Sequence, residues 1–284
     1  MPVPLESGTI RPDLLHGMDM RPDRPQRVLV TGATGVLGRS LLGRPSAAGY
    51  TVRGSGRGGP PEGAAIEWAR VDLATGEGLE AAVSEVDTII HAASSPRADT
   101  ERIDVQGTMR LLEAARSAGV RHVVYVSIVG IDGIPFAYYR HKLAAEREVE
   151  AGRVPWTILR GTQFHDLVDT VIGGMMRFPV GLVPKDLQSQ PVHVDEFADA
   201  LWERVAAGPA GRAPDVAGPE VLRFGAMAEA WKAARGVRRP IVHLPLPGAV
   251  AAALRRGHGT APDRAVGRVT WAEWLQARYG AARG

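Results

Sequence analysis

The octapeptide Thr31-Gly32-Ala33-Thr34-Gly35-Val36-Leu37-Gly38 follows directly on the apolar run Val28-Leu29-Val30. Three glycines at this spacing, between a strand and the start of a helix, constrain the chain more than any other stretch. Gly32 permits a tight turn, Gly35 lets the backbone approach a bound pyrophosphate, and Gly38 allows the helix to pack closely on its strand. The helix start then offers unpaired N–H groups to phosphate oxygens. A glycine triplet alone can also be a plain strand-to-helix turn, so its context decides between the two.

That context is an alternation of short β-branched runs with longer amphipathic segments. The strands are expected at Arg27-Thr31, Thr51-Arg53, Ile66-Val71, Thr88-His91, His122-Ser127 and Trp156-Arg160, and helices at Val36-Ala48, Leu79-Ser84, Arg102-Ala118 and Ala137-Glu150. Because crossovers between parallel strands are right-handed, this pattern predicts an α/β fold of the Rossmann type, a doubly wound parallel sheet. Pro45 falls inside the first expected helix, which predicts a kink or an early end there. After Arg160 the alternation stops. A stretch from Gly173-Gly174-Met175-Met176 to Pro184 precedes a helix over Val194-Ala207, and this region reads as a small C-terminal lobe over the substrate side. The chain thus divides into a poorly ordered N-terminal extension (1–26, with Met20 as an alternative start), a dinucleotide-binding core (27–160) and a mixed substrate-covering lobe with returning core elements (161–284).

Composition narrows the function classes. The 284 residues are 45% hydrophobic and 23% charged, as in a soluble globular protein. A net charge of +3, with arginines scattered along the chain, argues against a nucleic-acid partner. The absence of cysteine excludes disulfides, thiolate metal sites and a thiol nucleophile, and it fits a cytoplasmic location. No stretch resembles a signal peptide or is long and apolar enough to span a membrane. His91, His122, His141, His165, His193 and His243 show no i, i+4 pairing, so no metal is expected. Gly54-Ser55-Gly56 lacks the spacing of a hydrolase nucleophile elbow.

The end of the second strand reads Val52-Arg53-Gly54-Ser55-Gly56-Arg57, without the carboxylate that binds the ribose hydroxyls in NAD-preferring sites. Arg57, helped by Ser55, can instead neutralise a 2′-phosphate, so the expected cofactor is NADP(H) in preference to NAD(H). The alternative is a solvated surface arginine. Tyr138 and Lys142 stand four apart on the fourth helix and can reach one site. A nearby ammonium would stabilise a tyrosine phenolate, and the protonated tyrosine could deliver its proton to a carbonyl oxygen. The alternatives are a packing role for Tyr138, cofactor binding alone for Lys142, and Tyr139 as the reactive aromatic.

Val28–Gly38, Asp72-Leu73 after the third strand and His91-Ala92-Ala93-Ser94-Ser95 after the fourth together resemble the short-chain dehydrogenase/reductase superfamily, most closely its atypical, NmrA-like branch. The similarity covers most of residues 27–150 and continues more loosely beyond. It implies that Asp72 and Leu73 lie near the adenine, that Ala92, Ala93 and Ser94 line the cofactor, and that Ser127 orients the substrate oxygen in a triad with Tyr138 and Lys142. It also implies that Gly161, Thr162 and Gln163 pass the nicotinamide. By position alone, Phe136, Phe164, His165 and His193 are candidates for the substrate wall. The expected function is an NADP(H)-dependent oxidoreductase acting on a small-molecule carbonyl or alcohol. The alternatives are a redox sensor or scaffold without turnover, and an epimerase or isomerase with no net redox. Monomer and homodimer both stay open.

Overall fold

The computed structural model describes residues 25–44, 49–63, 66–96 and 99–280. In chain order the strands are β1 (Gln26–Thr31), β2 (Tyr50–Gly56), β3 (Glu67–Arg70), β4 (Thr88–His91), β5 (His122–Ile128), β6 (Trp156–Gly161), β7 (Gly181–Pro184), β8 (Gln188–Ser189), β9 (Gly211–Arg212), β10 (Leu222–Arg223) and β11 (Ile241–Leu244). The helices are α1 (Val36–Leu42), α2 (Leu79–Val83), α3 (Gly107–Ser117), α4 (Ala137–Ala151), α5 (His165–Met175), α6 (Val194–Ala207), α7 (Phe224–Arg235), α8 (Ala249–Arg255) and α9 (Trp271–Tyr279).

Seven strands form one parallel sheet in the order β3-β2-β1-β4-β5-β6-β9. This is the doubly wound arrangement. Its winding reverses between β1 and β4, where Thr31 pairs with His91, and ligands in such folds sit beyond the strand ends at that point. Central strands are buried on both faces, hence the continuous apolar runs rather than alternation. Leu29, Ile89 and Val123 face a core shared with α2, α3 and α4, while Val28, Val30, Ile90 and Val124 face the other side, where α6 contributes Phe197, Ala198 and Leu201. A third core, built from Val168, Ile172, Met176, Trp231, Trp271 and Trp274, holds α5, α7 and α9 together as a separate body of side chains.

α1 ends at Leu42, well short of the expected Ala48, in line with the stop that Pro45 imposes; Pro45 itself lies outside the described residues. β2 runs on to Gly56, past the expected Arg53, because its glycines let Trp68 of β3 pack flat against it: a Cβ on Gly54 would sit 2.8 Å from that indole. The third helix, expected over Arg102-Ala118, begins as a π-helical stretch over Glu101–Gln106 before α3. Such wide turns re-aim side chains, and this one buries Asp104. Of the N-terminal extension, residues 1–24 lie outside the described residues, whereas Gln26 already belongs to β1. Within 161–284, α6 packs beside α1 and β9 returns to the sheet edge. No described helix is long and apolar enough to cross a membrane.

Candidate active site

The glycine turn folds as its sequence requires. Gly32 has φ +67°, and a Cβ there would lie 2.7 Å from Ala93 Cα, so the loops after β1 and β4 touch backbone to backbone. A Cβ on Gly38 would sit 2.2 Å from the Gly32 carbonyl oxygen, which fixes α1 against the turn. Gly35 caps α1 with no side-chain hydrogen bond, leaving the first backbone N–H groups without a side-chain acceptor. Beyond the turn opens a cleft of about 250 Å³. Gly32, Thr34, Gly35, Ser55, Arg57, Asp72, Leu73, Ala92, Ala93 and Ser94 all line it, so the structure gathers these expected cofactor residues from four separate loops.

Within that set the side chains differ in what they offer. Arg57 is exposed at the rim, and no ion pair holds it among the described residues. Ser55 reaches the cleft through its backbone only, because its buried hydroxyl turns inward to the Val30 carbonyl at 3.4 Å and its own carbonyl accepts the Ala33 N–H at 3.1 Å. The expected help from Ser55 toward a 2′-phosphate is therefore replaced by a role in pinning the turn to β2. Asp72 caps its own loop by accepting the Ala74 N–H at 2.8 Å. Val36 is exposed at the helix start, while Leu37 and Gly38 are buried against the core and support the turn from behind.

The floor between β1 and β4 is a chain of hydrogen bonds whose directions can be assigned. Thr108 donates its only hydroxyl proton to the Asp104 carbonyl at 2.6 Å, so it must accept from His91 Nε2 at 2.9 Å. His91 Nδ1 is then free to accept from Thr31 Oγ1 at 2.7 Å, and Thr31 in turn accepts the Ala93 N–H at 3.2 Å. The imidazole is neutral: burial, aided by the Lys142 charge, pushes its pKa down to about 3.

At the inner end of the cleft, Tyr138 from the first turn of α4 meets Ser94, with 2.7 Å between the hydroxyls. Ser94 lies 2.5 Å from Asp104 Oδ1, and the Ser95 N–H donates to Oδ2 at 2.9 Å. An ionised carboxylate only accepts, so Ser94 gives it its proton, and Tyr138 must donate to Ser94. Burial raises the Tyr138 pKa above the ordinary phenol value; a Ser94 hydroxyl turned to donate to the phenolate opposes that shift and the Asp104 charge adds to it.

Lys142 and Ser127 depart from the expected triad. The Lys142 ammonium is buried and donates to Tyr125 Oη at 2.7 Å and to the Val126 carbonyl at 2.8 Å, above the Tyr125 ring. Burial lowers its pKa to about 8, against the pull of Asp104 and Glu146. The Tyr138 pKa is raised, chiefly by burial, where a depression by Lys142 was expected. The buried Ser127 hydroxyl faces the Glu146 carboxylate without reaching good hydrogen-bond geometry with any group. It shares no hydrogen bond with Tyr138. Glu146 itself is held by Arg160 at 2.6 and 2.8 Å and by Arg212 at 2.9 Å, so this buried carboxylate ties α4 to β6 and β9.

Of the expected substrate wall, Phe136 is exposed and packs edge-on to Tyr138 and Tyr139. The others are structural. Phe164 packs on Phe197, His165 is fully buried against the parallel faces of Trp271 and Trp274, and His193 caps α6 by accepting the Asp195 N–H. Gly161 makes room for the Phe197 ring, and Thr162 accepts the Gly218 N–H, so both fasten β6 rather than line the cleft. Gln163 lies beside Tyr139 and accepts from Ser189 at 3.1 Å. Sequence reasoning missed Asp104 and Tyr125. One stands in an acidic stretch that reads as helix surface, the other in an apolar strand, and neither has a motif of its own.

Residues 32–177 match the family described as NAD(P)H-binding, which is more than half of the chain. Over 213 residues the chain is 30% identical to the (4-alkanoyl-5-oxo-2,5-dihydrofuran-3-yl)methyl phosphate reductase of Streptomyces griseus, a match spanning 69% of each protein. The fold superposes on MoeE5 in complex with UDP-glucuronic acid and NAD with a TM-score of 0.73 at 20% identity, covering 90% of this chain and 99% of that one. It superposes equally, at 0.73, on the NADPH-dependent quinone oxidoreductase of Escherichia coli complexed with NADPH, at 18% identity over 89% and 99% of the two chains. Glycine turn, switch-point cleft and family match agree: the chain belongs to the NAD(P)H-binding family.

Proposed function

We propose that the protein is an NADP(H)-dependent oxidoreductase that reduces a small-molecule carbonyl compound, with Tyr138 as the proton donor. The observation that carries this reading is the 2.7 Å contact between Tyr138 and Ser94, because Ser94 also lines the cleft of the glycine turn. It joins a protonated phenol to the place where a dinucleotide would lie.

The cleft suits that cofactor. Its floor is glycine backbone with uncapped N–H groups for a pyrophosphate, and the Arg57 guanidinium at its rim, in no ion pair among the described residues, matches a 2′-phosphate. A bound nicotinamide supplies the hydride. The chain's own part is the proton: Tyr138, kept protonated by burial, turns its O–H from Ser94 to the substrate oxygen as the carbon is reduced, and Ser94 turns its own O–H from Asp104 to the phenolate left behind. The resting phenol is the state that reduction starts from, whereas oxidation of an alcohol would need the phenolate that burial and Asp104 both disfavour. The reductase name of the Streptomyces griseus relative supports the same direction.

The test is NADPH consumption with a panel of aldehydes, ketones and quinones. Tyr138→Phe should bind NADPH normally and lose turnover; equal turnover by wild type and variant would sink the assignment. Lys142 bound to Tyr125, and Ser127 turned to Glu146, favour one second reading, a cofactor-binding sensor without turnover. That reading predicts NADPH binding with no product from any member of the panel.

A further inference from the structure

The ribbon of β7 and β11 carries a surface that the cleft chemistry does not use. Its strands run parallel, with Leu182 beside Val242 and Pro184 beside Leu244. Val183 and Ile241 turn toward the core of the lobe, so Leu182 and Val242 face outward, and Leu244 follows Val242 on the same face by the two-residue period. Leu182, Val242, Leu244 and Leu246 are 54%, 45%, 45% and 45% exposed, and Phe178 just ahead of β7 is 56% exposed. An apolar strip of this kind on a soluble protein marks a contact surface.

Parallel strands begin at the same end, and here arginines precede both: Arg177 before β7, Arg238 and Arg239 before β11. With Arg235, from the last turn of α7, they line a cavity of about 530 Å³ that also contains Trp231. Arg235 stacks on Trp231 and Tyr279, Arg177 on Phe178, and Arg239 donates to the Met176 carbonyl. Among the described residues, no ion pair joins any of the four to a carboxylate. The neighbouring acids are engaged elsewhere. Asp169 accepts from Trp231 and Tyr279, and Glu229 faces Lys232 and His243.

We infer that this end of the lobe docks on an anionic phospholipid surface, with lipid phosphates at the arginine cavity and the ribbon's apolar face against the acyl boundary. Charge complementarity selects the partner's sign. The apolar strip selects a bilayer over an acidic protein, because Leu182, Val242, Leu244 and Leu246 offer no polar group to fix a protein partner's register.

Vesicle flotation of the full chain tests this, with phosphatidylcholine vesicles with and without phosphatidylglycerol. Binding is expected only where phosphatidylglycerol is present, and it should weaken as salt is raised. Arg177→Gln with Arg238→Gln removes two charges and should weaken binding about 30-fold at unchanged melting temperature. Leu182→Asn with Val242→Asn, on the apolar strip, should also reduce it. The inference is overturned by absence of flotation with phosphatidylglycerol, by equal binding to phosphatidylcholine alone, or by folded variants that float like wild type. It is equally overturned by a solution dimer that Leu182→Asn with Val242→Asn disperses, which would make a second copy the occupant.

Discussion

The two ends of the cleft are built from different materials. At the outer end, the glycine turn presents backbone, and its shape is enforced by contacts that tolerate no Cβ at Gly32 or Gly38. At the inner end, Ser94 lines the cleft and is joined behind it to Tyr138 and Asp104, side chains whose partners depend on rotamer and burial. A backbone site is specified by residue type, because only glycine fits. A side-chain site is specified by neighbours from distant segments, so the same residues can serve chemistry or merely pack.

The largest expected effect sits at the backbone end. Gly38→Val would drive side-chain atoms into the Gly32 carbonyl and Ala33, and should cost more than about 100-fold in NADPH affinity by calorimetry, given the backbone shift it forces. Gly43→Ala, with nothing closer than 3.8 Å, should leave affinity unchanged. A Gly38→Val protein that binds NADPH normally would remove the contrast between the two ends.

At the side-chain end, Tyr138→Phe should lower the reduction rate by about 100- to 10,000-fold, the usual worth of a positioned proton donor, with the NADPH dissociation constant unchanged. Next in size is Arg57→Ala, which should weaken NADPH about 10- to 100-fold and leave NADH alone, since a charge-assisted contact to a 2′-phosphate is worth about 1.5–3 kcal/mol. Equal losses for the two cofactors would mark Arg57 as a general feature of the rim.

The smallest effect concerns the floor joining both ends. His91, His122 and His165 are buried and neutral, with pKa values pushed down to about 3, 4 and 4, mainly by burial. The unfolded chain takes up these protons first, near the ordinary histidine pKa, so stability falls as pH drops below about 6.5 toward 4. Each contributes a slope of at most about 1.4 kcal/mol per pH unit. His91→Gln should make denaturant-measured stability shallower with pH by up to about 1.4 kcal/mol per pH unit, even if the variant is less stable overall. An unchanged slope would mean that His91 is already charged in the folded protein.

The contrast also explains what the sequence alone could say. The doubly wound parallel sheet and the glycine turn between β1 and α1 followed from periodicity, glycine chemistry and family resemblance, which report on local backbone. Val194–Ala207 was legible to the residue because its apolar stripe is uninterrupted. The inner corner was legible only in part. Tyr138 could be named from its spacing to Lys142, but not the competition for that lysine by Tyr125, seventeen residues away on β5. Asp104 depends on a π-helical turn with no sequence mark of its own. His165 was a candidate for the substrate wall by position, and only the fold brings Trp271 and Trp274 against it.

The central claim is that Ser94, and not Ser127, is the hydroxyl that works with Tyr138. Steady-state NADPH oxidation by Ser94→Ala and Ser127→Ala, compared side by side on one carbonyl substrate, tests it directly. The account predicts a kcat loss of about 10-fold or more for Ser94→Ala, the cost of one hydrogen bond to a reacting group, and near wild-type kcat for Ser127→Ala. The reverse order, with Ser127→Ala inactive and Ser94→Ala unimpaired, would contradict it.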